Sequence, residues 1–121
     1  MSKILLIEDE FRLRENLIEI LELYDYEVHA AVDGLDGFAK ALEVEPDIIL
    51  CDVMMPNLNG LDFVSKIKQT HLAHIPIILL TAKVDPEDVK EGLSRGANCY
   101  IKKPFLTDDL LKNIKELTSK I

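Results

Sequence analysis

The chain has 121 residues, 48% of them hydrophobic and 30% charged, with 14 Lys and Arg against 22 Asp and Glu for a net charge of -8. That length and hydrophobic share suit a single domain, residues 1–121, with one real core. The acidic balance argues against direct nucleic-acid binding, which needs a basic face for phosphates, and no apolar run is long enough to span a bilayer. The start, Met1-Ser2-Lys3, leads straight into a short strand and does not read as a secretory signal, so the cytoplasm is the expected compartment. Cys51 and Cys99 lie far apart, without CxxC or His spacing. They read as buried thiols in a reducing compartment.

In chain order, the first apolar run covers residues 3–7 and ends in Glu8, Asp9 and Glu10. A stripe at helical spacing follows at Leu13, Leu17, Leu21 and Tyr24. Residues 27–32 are a second predicted strand. Asp33, with Asp36 three positions on, signals a helix start, and Leu35, Phe38, Ala39 and Leu42 form its expected apolar stripe. The third predicted strand, residues 47–52, ends at Asp52, and the chain turns at once through Val53-Met54-Met55-Pro56-Asn57. Asn59 with Asp62 opens a helix with Leu61, Val64 and Ile67 on one face.

The fourth predicted strand, residues 75–80, ends at Thr81. Asp85-Pro86-Glu87-Asp88 combines a cap with Pro at the first helical position. The helix it opens is weak, because its stripe is little more than Val89 and Leu93. Gly92 inside it costs about 1 kcal/mol relative to Ala. It is therefore expected to be the least firmly docked. A last short strand, residues 99–102, reaches Lys103-Pro104. The final stripe is Leu110, Ile114, Leu117 and Ile121.

Strands one, three and four are nearly all apolar, as strands covered on both faces of a parallel sheet are. Five strand–helix units predict an α/β doubly wound, flavodoxin-like fold. The order 2-1-3-4-5 is adopted from known folds of this kind and not read from the residues. Ligands in such folds sit at the carboxyl ends of the strands. There the pattern brings together Glu8, Asp9, Asp52, Thr81 and Lys103.

Hard carboxylate oxygens suit Mg²⁺, with Mn²⁺ able to substitute, and a cation would relieve the repulsion among the acids. Taken alone, the acids after the first strand read equally as helix caps. Thr81 alone reads as a strand-end hydroxyl, and Lys103 as a surface lysine beside Lys102. Together they suit phosphoryl chemistry. Asp52 can attack phosphorus to form an acyl phosphate, while the metal, Lys103 and Thr81 balance charge on the phosphoryl oxygens.

The stretches Leu6-Ile7-Glu8-Asp9-Glu10, Asp52-Val53-Met54-Met55-Pro56-Asn57-Leu58-Asn59-Gly60, Leu80-Thr81-Ala82 and Lys103-Pro104-Phe105 resemble the receiver (CheY-like) domain of bacterial two-component response regulators, over essentially the whole chain. The resemblance implies phosphorylation of Asp52 by a sensor histidine kinase or a phosphotransfer protein. It implies Mg²⁺ held by Asp9, Asp52 and the backbone carbonyl of Met54, with Glu8, an accepted variant of the commoner Asp, acting through a water. It also implies a cis Lys103-Pro104 bond, and a switch in which Thr81 shifts and Tyr100 turns inward. Met54 and Lys83 would border the path of attacking water and lengthen the phosphoryl lifetime. The kinase would dock on the first helix near Arg12, Leu13, Arg14 and Leu17. The face made by the fourth helix, fifth strand and fifth helix would change on activation and act on an unidentified output. The chain would be a monomer or a phosphorylation-dependent homodimer. In some receivers that pairing uses acids just before the last strand, where this chain has Asn98 and Cys99.

Three other readings compete. An aspartyl phosphohydrolase of haloacid dehalogenase type needs a second acid two residues after its nucleophile, but Met54 stands there, and Phe11 follows Asp9 at that spacing. A flavodoxin-like electron carrier needs a phosphate-cradling loop after the first strand, where Glu8, Asp9 and Glu10 would repel the anion. A degenerate receiver serving only as a platform would lack workable site residues, and all five positions are filled. The expected protein is a signalling switch and not a multiple-turnover enzyme.

Overall fold

Strands that are apolar on both sides need cover on both sides, and the chain supplies it from alternating helices. A computed structural model describes residues 2–82 and 85–119. Its elements are β1 (Lys3–Ile7), α1 (Phe11–Leu23), β2 (Glu27–Ala31), α2 (Gly34–Val44), β3 (Ile48–Asp52), α3 (Gly60–Ile67), β4 (Ile77–Thr81), α4 (Pro86–Arg95), β5 (Cys99–Lys102) and α5 (Thr107–Thr118). All strand pairs are parallel, in the order β2-β1-β3-β4-β5. This is the expected doubly wound, flavodoxin-like arrangement.

Successive strand residues point to opposite faces, so the sheet divides the core in two. Leu5, Ile7, Ile49, Cys51, Ile77 and Leu79 face one way, packing with Phe63, Val64 and Ile67 of α3 and Ala41 of α2. Ile4, Leu6, Ile48, Leu50, Ile78 and Leu80 face the other way, against Leu17 and Leu21 of α1 and Leu110 and Ile114 of α5. Cys51 is buried and Cys99 half-buried, both as free thiols.

Strand ends differ slightly from expectation. β2 stops at Ala31 and leaves Val32 exposed, and β3 begins one residue late, at Ile48. β4 begins at Ile77, not Ile75. Pro76 has no N–H to donate to a ladder, and the Ile75 N–H is taken by Leu72 O in the preceding turn.

The stripe expected on α2 is the larger correction. Leu35 and Leu42 are exposed, as is Ala39, and Phe38 is half-buried; the buried face is Gly34, Gly37 and Ala41. The reason is close approach. A Cβ on Gly37 would run into the Ile7 side chain, and one on Gly34 into the Leu58 carbonyl. Small residues let the α2 backbone lie against the sheet, so its outer residues never reach the core.

On α1, Tyr24 leaves the stripe because it is the C-terminal cap, and it is exposed. On α3, Phe63 joins the core as an unpredicted member. Ile121 lies outside the described residues.

α4 buries less than its expected stripe suggests. Gly92 is its one buried residue, and Leu93 is exposed. Asp85 makes no side-chain cap hydrogen bond. Pro86 at the first helical position presents no N–H, so the cap has one donor fewer to satisfy. The helix is tied instead by Arg95, which donates to Asp62 of α3 and to Glu91, each at 2.8 Å. Such exposed pairs are worth at most about 1 kcal/mol each. Arg95→Ala is therefore expected to speed amide exchange over residues 86–95 by about two- to fivefold while leaving α5 unchanged. Native-state exchange read by mass spectrometry checks this.

Candidate functional site

Register places the polar strand ends together. Ile7 sits beside Cys51, Asp52 beside Leu80, and Thr81 beside Lys102. The residues just past β1, at the end of β3, at the end of β4 and just past β5 therefore share the carboxyl edge of the sheet.

Glu8 is fully buried, its N–H donating to Ala31 O at 3.1 Å. Its carboxylate accepts from Glu10 N and from Lys103 Nζ. Asp9 beside it is exposed. Glu10 is the acid that caps α1, accepting from Arg12 N and Leu13 N. The three acids thus divide their work, and helix capping falls to Glu10.

Asp52 is only 6% exposed. It accepts from Met54 N at 3.3 Å and from Lys103 Nζ at 3.0 Å. Lys103 Nζ also reaches Glu8 Oε1 at 2.7 Å, so one ammonium bridges two buried carboxylates. The Lys103 backbone N–H donates to Thr81 O at 2.8 Å, and the Lys103-Pro104 bond is cis. Burial pushes Glu8 up to about 7, against the lowering effect of the Lys103 and Glu10 hydrogen bonds. Burial alone would lower the Lys103 amine, but its hydrogen bonds to Glu8 and Asp52 outweigh it and hold the group above its ordinary value.

One ammonium thus faces three acids. Carboxylate oxygens of Glu8, Asp9 and Asp52 all lie within 4.8 Å of one another. Closely grouped hard oxygens, those of Glu8 and Asp52 on buried residues and those of Asp9 open to solvent, suit a divalent cation. The acidic cluster is competent to bind a metal ion.

Thr81 is fully buried. A hydrogen bond links its side chain to the Tyr100 phenol, which burial and the Asp88 carboxylate push up and that bond draws down. The Tyr100 ring lies against Gly92, where a Cβ would come within 3.0 Å of it. A cavity of about 140 Å³ separates Tyr100 and Asp88 from Val53 and Met54.

Two contacts near the site were not anticipated. Arg14 donates to the carbonyls of Glu8 (2.9 Å) and Asp9 (3.4 Å) and so holds the loop after β1. Asn57 Nδ2 donates to Asp33 Oδ2 at 2.6 Å. Asn57 has φ +69°, a left-handed conformation in which Asn is enriched. That preference was a usable signal, but the partner, 24 residues away, was not. Lys83, expected beside Thr81, lies outside the described residues.

These features define the class: a doubly wound α/β switch-type domain with a metal-competent acidic pocket at its carboxyl edge. Residues 4–115 match the family described as the response regulator receiver domain, and the chain belongs to that family. It is 43% identical over 117 residues to the response regulator ArlR of Staphylococcus saprophyticus, and 42% identical over 121 residues to ArlR of Staphylococcus aureus. Each match covers 97% of this chain and 52% of the relative, so the chain spans about half the length of these curated relatives. Among solved structures, the Vibrio cholerae chemotaxis protein CheY4 superposes with a TM-score of 0.91 at 35% identity, over 97% of this chain and 98% of that one. A signal receiver domain of a Syntrophus aciditrophicus histidine kinase gives 0.91 at 34%, over 98% and 91%. The chain is a receiver domain of the two-component type, a signalling switch, and the dehalogenase-type reading is not favoured. Among the described residues no helix is long and apolar enough to cross a membrane.

Proposed function

We propose that Asp52 accepts a phosphoryl group from a phosphohistidine on a sensor kinase or phosphotransfer protein, and that the acyl phosphate resets the face formed by α4, β5 and α5. The observation that carries this is the Lys103 bridge between Glu8 and Asp52, with Asp9 in the same cluster.

An Asp52 oxygen attacks phosphorus, the P–N bond breaks, and the leaving imidazole keeps the electron pair and takes up a proton. Lys103 Nζ turns from Asp52 to a phosphoryl oxygen while keeping Glu8. The Thr81 hydroxyl donates to a second oxygen. Asp9, Asp52 and the Met54 carbonyl would hold Mg²⁺, or Mn²⁺ in its place, with Glu8 acting through a water. When bound, the ion neutralises charge on the remaining oxygen. The Thr81–Tyr100 link supports Tyr100 as the residue that carries the change to α4.

A cleft of about 490 Å³ beside Lys103, walled by Leu13, Leu17, Ile20, Pro104 and Phe105, supports kinase docking on α1. The downstream output is a domain or protein that reads the α4–β5–α5 face. The chain acts as a monomer or a phosphorylation-dependent homodimer in the cytoplasm, without contacting nucleic acid itself.

Intact mass tests the reading, after incubation with Mg²⁺ and a small acyl-phosphate or phosphoramidate donor. One phosphate-sized addition is expected in the wild type, absent in Asp52→Asn and absent without Mg²⁺. An unmodified wild type that binds Mg²⁺ would shift weight to a platform role or strict kinase dependence. Met54 is exposed at the mouth of the site, where it would hinder water. Met54→Ala is expected to quicken loss of the phosphoryl group, followed by the same mass measurement over time.

A further inference from the structure

We propose that Asn57, through Asp33, is a positioning residue for the acidic pocket. Their hydrogen bond clamps the loop that follows Asp52 and so fixes the Met54 backbone beside the carboxylates. The inference rests on the phosphoacceptor reading above and extends it to two residues outside the pocket.

The loop spans residues 53–59. Its two ends are stitched: Val53 N donates to Leu80 O at 3.2 Å, and Gly60 N to Val53 O at 2.9 Å. Met54, at its start, donates to Asp52 Oδ1. The bend from Met54 to Leu58 carries the carbonyl assigned to the metal. Beyond Met54 N, which bonds the Asp52 carboxylate of β3, the bend is tied to another element by Asn57 Nδ2, which donates to Asp33 Oδ2 at 2.6 Å.

The other jaw of the clamp is rigid. Asp33 uses its second oxygen to cap α2, accepting from Asp36 N at 2.8 Å. The two loops also interlock beside the hydrogen bond, for the Leu58 carbonyl lies so close to Gly34 that no Cβ fits between them. Hydrogen bonds to an ionised carboxylate are about twice as strong as neutral ones. The caps and the Asn57 amide hold the Asp33 carboxyl below its ordinary range, so it stays ionised.

A simpler explanation is that Asn57 is present only because it tolerates φ +69°. Glycine adopts that conformation at no steric cost but brings no amide. Asn57→Gly therefore separates the two explanations.

The test compares wild type, Asn57→Gly, Asp33→Asn, Asn57→Asp, and the double exchange Asp33→Asn with Asn57→Asp. In the double exchange an amide at position 33 faces a carboxylate at 57, and the carbonyl oxygen at 33 still caps α2. Two quantities are read on folded protein at 25 °C. One is amide exchange over residues 53–58 without metal, and the other is Mg²⁺ affinity by calorimetry. Each single variant is expected to exchange faster and to bind Mg²⁺ about three- to tenfold more weakly, the size of one net hydrogen bond acting through the loop backbone. The double exchange is expected to return both quantities to within about twofold of wild type, since it restores the pair. Wild-type behaviour in Asn57→Gly, or a double exchange no better than its parents, would overturn the clamp. A wild type that binds no Mg²⁺ and accepts no phosphate would instead sink the phosphoacceptor reading and the metal-positioning role with it. The metal-free exchange pattern would report separately on the clamp itself.

Discussion

In metal-free buffer, Lys103→Met is expected to lower stability by about 1 kcal/mol at pH 5 and about 2 kcal/mol at pH 8. Lys103 is the ammonium that bridges buried Glu8 and Asp52, and removing one partner of a buried pair leaves the other charges uncompensated. The pH dependence comes from Glu8, whose folded value of about 7 lies above its ordinary 4.5 because the group is buried. Below pH 4.5 Glu8 is neutral in both states, and its burial carries no charge penalty. As pH rises from 4.5 through 7 the unfolded chain ionises first, so stability drains away even in the wild type. The Lys103 hydrogen bond and charge hold the Glu8 value down. Without them it climbs further, and the loss continues to higher pH.

At pH 5 the variant therefore loses chiefly its bond to Asp52, and at pH 8 it also carries the cost of holding Glu8 protonated or of burying its charge unpaired. Urea unfolding in EDTA at the two pH values measures the difference. Equal losses would mean that Glu8 does not titrate against Lys103 in this range and that the bond to Asp52 accounts for the whole effect. Adding Mg²⁺ at pH 8 is expected to recover more stability in the variant than in the wild type, because a dication replaces the missing charge.

The reason the pocket was legible in the sequence is the same reason it is buried. β1, β3 and β4 are covered on both faces, so each is written as a short unbroken apolar run. A carboxylate or hydroxyl at the end of such a run stands out. Parallel pairing then brings those ends to one edge without further information, which is why Glu8, Asp52 and Thr81 could be placed together. Lys103 was harder, since a lysine after a short edge strand is unremarkable until the other three are known.

What was misread shares a cause. α2 buries glycines and alanine, which leave no hydrophobic signal, while Leu35 and Leu42 imitate a core stripe from the solvent side. The start of β4 is hard to read from sequence because Ile75 is buried like a strand residue, while Pro76 accepts from Ile49 N but has no N–H to donate. The Asn57–Asp33 bond was invisible because both residues had adequate local roles, one as a turn former and the other as a helix cap. Close packing and long-range polar pairing depend on the fold as a whole, and periodicity does not report them.

Gly60→Ala is expected to destabilise the domain by about 1–3 kcal/mol and to impair phosphate acceptance in the fraction that stays folded. Gly60 is buried at the start of α3, and a Cβ there would meet the Asp52 carbonyl oxygen and lie 2.8 Å from Val53 Cα. Neither is the far end of a flexible side chain, so backbone must move. The part that moves is the end of β3 that carries Asp52, together with the Gly60 N–H to Val53 O bond that closes the loop. Gly37→Ala is the control. Its new methyl would meet the Ile7 side chain and not backbone, and Ile7 faces the core rather than the pocket. Both variants are expected to unfold at lower urea than wild type, Gly60→Ala the lower of the two. Only Gly60→Ala is expected to slow formation of the phosphate adduct at a temperature where both are folded. Equal adduct rates in the two glycine variants would mean that β3 keeps Asp52 in place whatever α3 does. The carboxylate's position would then be owed to the Lys103 bridge and the sheet alone.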